Sequence, residues 1–321
     1  MALGFVPRQI TAVRSVFFGT PAIALPTLEA LLENTELVAT VCQPDRLGGR
    51  GMRPMTPAVK AWAESKGILV FQPDKLKDGV LTQWLSENAI DVAVVLAYGK
   101  ILPQQLLDAP RLGCVNLHAS LLPYHRGAAP IQWSIISGDA DTGVTLMKMD
   151  AGLDTGPMLS QHKIAIAPRE TTGSLIERIA ELCAKVVRED LPRYARGELS
   201  EVPQDNQGAT WAPPIRASDR RITFDDSAQH IDARIRALAP APGAITVCRG
   251  KVLRLLESTP LAHNSVGVPG TVTITPEKRI VVSTRAGSLE LIRAQLEGKK
   301  PLSAKDLING RSIAQDDILG D

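Results

Sequence analysis

Ile90–Ala97 reads Ile-Asp-Val-Ala-Val-Val-Leu-Ala, a short and nearly continuous apolar run. A strand with one wet face would alternate polar and apolar residues, so this run fits a strand covered on both sides. Working outward, Ala12–Phe18 (AVRSVFF) and Glu36–Cys42 (ELVATVC) repeat the pattern, and Ile68–Phe71 is a shorter version. Helical spacings lie between them: Leu25, Leu28, Leu31 and Leu32 after Gly19-Thr20-Pro21, then Ala58–Ser65, then Val80, Leu81, Trp84 and Leu85. Doubly apolar strands alternating with helices predict an α/β domain with a doubly wound, mostly parallel sheet. Gly113–His118 (GCVNLH) and Thr142–Met149 (TGVTLMKM) extend that sheet, and Ser174–Arg188 closes the domain as a helix.

After this the pattern changes. A polar stretch with several Pro and Gly residues divides the chain into a domain over 1–196, a linker over 197–209 and a second domain over 210–321. In the second, Ile231, Ile235 and Leu238 mark one face of a helix over Ala228–Leu238. Short runs follow at Ala244–Cys248, Val252–Glu257, Gly270–Ile274, Ile280–Ser283 and Leu289–Ala294, parted by Gly and Pro. Several short strands at such spacing predict a small antiparallel β-barrel.

The 321 residues carry 36 Lys+Arg against 34 Asp+Glu, for a formal net charge of +2. This composition excludes a disordered chain, a collagen-like repeat and a disulfide scaffold. As a total it also argues against a nucleic-acid partner, but the total hides a division. Residues 1–205 hold 20 basic and 22 acidic side chains, whereas 206–321 hold 16 basic and 12 acidic. Cys42, Cys114, Cys183 and Cys248 are far apart and lack a Cys-x-x-Cys pair, which predicts reduced thiols and a cytoplasmic setting. No apolar run reaches the roughly 18 residues of a membrane span, and no membrane partner is expected.

The densest polar constellation is Asn116-Leu117-His118-Ala119-Ser120-Leu121-Leu122-Pro123, with Arg126-Gly127 beyond. Asn116 and His118 alternate on a strand, so both side chains point to one face. An amide and an imidazole side by side offer convergent donors to an oxygen that gains charge. Asp154 lies downstream between Gly152 and Gly156, in a tight loop able to bring a carboxylate to the imidazole. Either strand residue alone could merely cap a strand; the three together point to acid–base chemistry. Cys114 with His118 and His125 lacks the paired spacing of a zinc site, so no metal is expected. No Gly-x-Ser-x-Gly elbow accompanies Ser120, and no Gly-Lys-Ser/Thr follows Gly19.

Asn116-x-His118-x-Ser120-Leu121-Leu122-Pro123 with Asp154 closely resembles the active-site signature of the 10-formyltetrahydrofolate-dependent formyltransferases. Further stretches resemble the members that act on methionyl initiator tRNA. These are Phe18-Gly19-Thr20-Pro21, Gln43-Pro44-Asp45-Arg46 through Gly49-Arg50-Gly51, Ala97-Tyr98-Gly99 with Ile101-Leu102-Pro103, Arg126–Gln132 and Gly298-Lys299-Lys300-Pro301. The similarity runs from about Val13 through nearly the whole chain. It implies a Rossmann-like formyltransferase domain followed by a barrel of the oligonucleotide-binding type. It also implies 10-formyltetrahydrofolate as formyl donor and methionyl initiator tRNA as acceptor. Asn116 and His118 would stabilise the oxyanion of a tetrahedral intermediate, and Asp154 would hold His118 and help relay a proton. Leu96, Tyr98, Gly99, Ile101 and Asp150 would border the folate, with Ser120, Leu121, Leu122 and Pro123 as another wall.

Pro44–Lys60 sets Arg46, Arg50, Arg53 and Lys60 against a single acid, Asp45. Under the resemblance, Arg46, Arg50 and Arg53 grip the tRNA acceptor stem, since a guanidinium suits phosphate. The chain departs from the pattern at Pro240-Ala241-Pro242, where many family members carry Pro-Trp-Pro. With aromatics scarce in that domain, backbone electrostatics rather than base stacking is expected there. A monomer is expected, because no second interface pattern stands out. Two other functions fit parts of the sequence: formyl transfer to a sugar-nucleotide amine, and nucleic-acid binding by a chain whose sheet domain is only structural.

Overall fold

The computed structural model describes residues 13–48, 53–262 and 267–320. They form two compact units. The first comprises the described residues up to Arg126 with Gly143–Lys163 and Arg178–Ala209; the second comprises Gly127–Thr142, Ile164–Glu177 and the described residues from Thr210.

The order along the chain is β1 (Arg14–Phe18), α1 (Leu25–Asn34), β2 (Glu36–Val41), β3 (Arg46–Gly48), β4 (Arg53–Met55), α2 (Ala58–Ser65), β5 (Leu69–Phe71), α3 (Val80–Glu87) and β6 (Val92–Val95). Then come α4 (Gln104–Leu107), β7 (Cys114–His118), α5 (Pro130–Ile136), β8 (Asp141–Lys148), β9 (Met158–Ala165) and α6 (Thr172–Ala195). One sheet of 7 strands has the order β5-β2-β1-β6-β7-β8-β9. Strands β5, β2, β1, β6 and β7 are parallel, and β8 turns antiparallel to β7. Phe17 and Phe18 point to opposite faces of β1 and both are fully buried, as are Val92, Ala93 and Val94 on β6. The central strands are thus apolar because neither face meets water.

This topology sets where a ligand fits. The chain moves from β1 outward to β2 and β5, then returns to place β6 on the other side of β1. At such a reversal the strand ends separate and leave a crevice outside their carboxyl ends. Phe18 and Val95 end the two strands that border it, and His118 ends β7 on the far side of β6.

The second unit contains α7 (Ala228–Ala237), β10 (Ala244–Cys248), β11 (Lys251–Leu261), β12 (Val272–Ile274), β13 (Ile280–Ser283), β14 (Ser288–Leu296), β15 (Leu302–Ser303) and α8 (Ala304–Asn309). Its strands pair antiparallel in the order β10-β11-β14-β13-β12, with β15 on β14. The two edges do not stay open. Leu319 bridges Cys248 at the end of β10, and Ile318 bridges Thr271 beside β12. The Val272 amide donates to the Asp317 carbonyl at 2.8 Å and the Gly320 amide to the Val247 carbonyl at 2.9 Å. Residues 317–320 therefore join both edges and close the sheet into a small barrel, which removes the exposed edge strands. Ile231, Ile235 and Leu238 pack into its core with Leu253, Leu255, Ile280, Val282, Leu289 and Leu291.

All four cysteines are buried free thiols. Burial pushes the Cys42 thiol up to about 11 and those of Cys114 and Cys183 up to about 12. The reactive form is the thiolate, so at pH 8 these three should resist iodoacetamide while the protein is folded. Mass spectrometry should find them labelled only after denaturation; fast labelling of the native protein would contradict their burial.

Candidate active site

The site is built at the end of β7. Asn116 and His118 occupy alternate positions there, opposite Met147 and Thr145 of β8. The segment between β8 and β9 then folds back over them. Asp154 at its tip has φ of +53°, a left-handed backbone that Asp adopts more readily than most residues. Gly156 follows where an added Cβ would strike the Lys148 carbonyl, so the loop can close against its own strand only with glycine.

The result is a convergence of three side chains. The Asn116 amide donates to Asp154 Oδ1 at 3.4 Å, and His118 Nδ1 lies 3.7 Å from Asp154 Oδ2. The His118 and Asp154 side chains are only 6% and 13% exposed. On the far side of the ring, His118 Nε2 is 2.9 Å from the His125 carbonyl oxygen. A carbonyl only accepts, so Nε2 carries a hydrogen and Nδ1 is the nitrogen turned to the carboxylate. Spacings of 3.4 and 3.7 Å are long for closed hydrogen bonds and suit groups that share a common reacting atom.

The 120–123 segment is pinned from behind. The Ser120 hydroxyl donates to the Tyr124 carbonyl at 2.6 Å, and Thr145 Oγ1 donates to the Ser120 carbonyl at 2.7 Å. Thr145 Oγ1 also accepts from the Leu122 amide at 3.1 Å, while Gln161 Nε2 donates to the Leu122 carbonyl at 2.7 Å. Ser120 and Leu122 are buried by these bonds; Leu121 and Pro123 stay half-exposed.

The other expected wall divides in two. Ile101 is 82% exposed and Gly99 is exposed with φ of +78°. Leu96 is buried. Tyr98, expected as a pocket wall, instead sends its ring into the core, edge-on to Phe18 with centroids 5.4 Å apart. The physical reason is the left-handed backbone at Ala97 and Gly99, which flanks Tyr98 and turns its side chain inward. Burial raises its hydroxyl to about 12, and its backbone carbonyl accepts from Gln43 Nε2 at 2.9 Å. Asp150 is exposed and holds its own loop, accepting from the Gly152 amide at 3.0 Å and the Thr155 hydroxyl at 2.8 Å.

Of the basic loop, Arg46 is exposed on β3, in register with Met55 on β4, and Arg53 pairs with Gly48. Arg50 lies outside the described residues. Asp45 is bound by Gln72 and Lys60, which together hold its carboxyl below the usual range. Lys60 thus neutralises the loop's acid.

Two further residues touch this arrangement: Arg126, which the sequence shows beside its polar constellation, and Gln204, which no local pattern discloses. Gln204 Nε2 donates to the carbonyls of Asp154 at 2.9 Å and Gly156 at 2.7 Å. Arg126, only 3% exposed, donates to Gln204 Oε1 through Nε at 3.0 Å and Nη2 at 2.8 Å. Among the described residues no group of three or more His, Cys, Asp or Glu could hold a metal ion, and no helix is long and apolar enough to cross a membrane.

Comparison with known proteins bears on the same segments. A family model described as formyl transferase matches residues 13–191, and one described as formyl transferase, C-terminal domain, matches residues 214–312. The methionyl-tRNA formyltransferase of Sorangium cellulosum (strain So ce56) is 45% identical over 310 residues, covering 96% of this chain and 100% of that protein. The methionyl-tRNA formyltransferase of Myxococcus xanthus (strain DK1622) is 46% identical over 301 residues, covering 94% and 96%. Among solved structures, a methionyl-tRNA formyltransferase from Clostridium thermocellum aligns at a TM-score of 0.54 and 16% identity, over 88% of this chain and 98% of that one. An N-formyltransferase from Helicobacter canadensis aligns at 0.66 and 18%, over 87% and 98%. These two are likenesses of fold. The chain belongs to the formyl transferases and, within them, to the methionyl-tRNA formyltransferase family.

Proposed function

We propose that this chain moves the formyl group of 10-formyltetrahydrofolate onto the amino group of methionyl initiator tRNA. The observation that carries the reading is the convergence of Asn116, His118 and Asp154 at the end of β7, beside the sheet's topological reversal. The amine forms a bond to the formyl carbon, whose oxygen gains charge. The bond from that carbon to N10 of the folate then breaks. Asn116 Nδ2 and His118 Nδ1 are the donors for the developing oxyanion. Nε2 already gives its hydrogen to the His125 carbonyl, so Nδ1 makes this bond as the second N–H of the ring, beside the Asp154 carboxylate. Asp154 takes up the proton that the amine loses and returns it to the departing N10. Holding amine and formyl carbon together supplies a further part of the rate.

The strand-end surface fits a flat, amide-rich ring. The exposed backbone around Gly99 offers hydrogen-bonding groups and Ile101 an apolar surface, with Leu121 and Pro123 as the facing wall. Tyr98 would contribute there through its backbone alone. Arg46, Arg50 and Arg53 are assigned to the tRNA backbone. Replacing all three with Ala should weaken tRNA binding and flatten its dependence on salt, while folate affinity stays unchanged. Filter binding across a salt series checks this; a collapse in folate affinity instead would place the loop in the donor pocket.

The acceptor is tested with purified protein, 10-formyltetrahydrofolate and methionyl initiator tRNA, with aminated sugar nucleotides as competitors. Formylated methionyl-tRNA is the expected product. Formylated sugar nucleotide with no formylated tRNA would transfer the site to the other acceptor class.

A further inference from the structure

We infer that Gln204 is a positioning residue for Asp154, and that Arg126 holds Gln204 in that task. The inference rests on the reading of Asp154 as part of the catalytic centre, and goes beyond it by naming what sets its place.

Asp154 stands in a loop whose neighbours Asp150, Ala151, Gly152 and Leu153 are all exposed, and its own φ is +53°. The 150–153 stretch that leads to it has little packing of its own. Gln204 restrains the loop from the other side, through the backbone of Asp154 and Gly156. Its amide has two hydrogens and spends both on this loop, one on the Asp154 carbonyl and one on the Gly156 carbonyl. Its oxygen faces the other way and accepts from Nε and Nη2 of Arg126. The orientation of the amide is unambiguous, since carbonyls only accept and a guanidinium only donates. Arg126 is anchored in turn, as Nη2 also donates to Asn206 Oδ1 at 2.9 Å.

Arg126 follows His125 directly, and the His125 carbonyl orients the His118 ring. One short segment, 125–126, therefore references both partners of the reacting pair. It holds the imidazole through a backbone carbonyl and the carboxylate through Arg126 and Gln204. The three side chains need a fixed mutual distance, and misplacement by about 1 Å can cost on the order of a hundredfold in rate. Gln204 and Asn206 thus take part in this arrangement and do more than connect two domains.

Gln204→Glu is the discriminating variant. It keeps an acceptor for Arg126 but replaces both donors with a carboxylate that repels the two carbonyls. Turnover should fall about 10- to 100-fold, KM for both substrates should stay within about threefold, and the thermal midpoint should stay near that of the parent protein. In an Asp154→Asn background the same change should cost nothing further beyond about twofold, because residues acting as one unit are non-additive. Gln204→Ala serves as a second variant should the carboxylate disturb folding. If Asp154→Asn alone retains full turnover, the catalytic reading of Asp154 fails. If Asp154→Asn is slow but Gln204→Glu turns over normally, the positioning role fails. A rise in KM at unchanged turnover, or losses that multiply in the double variant, would also overturn it.

Discussion

Replacing His118 with alanine is expected to lower turnover by at least about a hundredfold while the protein remains folded, judging from the usual cost of losing an oxyanion donor or an acid–base group. The size follows from two roles falling on one ring. Under the proposed mechanism Nδ1 is a donor to the reacting oxygen, and it also stands beside Asp154, the group that takes the amine's proton. Removing the ring would leave Asn116 as the remaining side-chain donor of the trio and the carboxylate without its neighbour. Asp154→Asn should cost a similar factor for the complementary reason. It keeps the shape and the loop but no longer offers a carboxylate to take the amine's proton. Steady-state formyl transfer at saturating substrates, with a thermal melt as control, checks both. A nearly unchanged rate in either variant would remove that residue from the mechanism.

The second large effect concerns stability. Asp232 on α7 is buried, and its carboxylate collects three partners within the second unit. Oδ1 accepts from Ser258 Oγ at 2.8 Å, Oδ2 from Arg236 Nε at 2.8 Å, and Arg169 Nη1 lies 3.1 and 3.0 Å from the two oxygens. The partners are not equal. The Arg169 side chain is 47% exposed, so solvent screens its share. Arg236 is 16% exposed and Ser258 is fully buried, so both lose their acceptor where water cannot readily replace it. Breaking a buried pair from one side typically costs about 3–5 kcal/mol. Asp232→Ala should therefore lower the unfolding midpoint of the second unit by on the order of 10 °C. Asp232→Asn, which keeps an acceptor, should lose less. Scanning calorimetry decides it, and a shift of under about 2 °C for Asp232→Ala would show that the pairing contributes little.

The parts of this structure that were legible in the sequence share a physical reason. Central strands β1, β2 and β6 bury both faces over most of their length, so they are largely apolar, and their runs stand out. The helix over Ala58–Ser65 and the strands Ala244–Cys248 and Ile280–Ser283 have the bounds that periodicity predicts. Strand β9 escaped because Met158–Ala165 mixes Ser, Gln, His and Lys among its apolar residues, as suits an edge with one exposed face. The β3–β4 hairpin hides in Gly- and Pro-rich sequence, where neither periodicity develops. Asn116, His118 and Asp154 were legible because rare polar types clustered at a strand end and between glycines. Gln204 was not, since one amide reaching two carbonyls leaves no spacing to read, and its polar neighbours made 197–209 look like a plain connection. The direction of the Tyr98 ring was not legible either, since the left-handed backbone at Ala97 and Gly99 turns it into the core beside Phe18.

The central claim is that this centre moves a formyl group onto an aminoacyl nitrogen. The most direct measurement follows a carbon-13 formyl label from 10-formyltetrahydrofolate in a single turnover with methionyl initiator tRNA. The label should appear on the α-nitrogen of the esterified methionine, at a rate that drops sharply in His118→Ala and Asp154→Asn. Label released as formate, or left on the folate by the unaltered protein, would contradict the account.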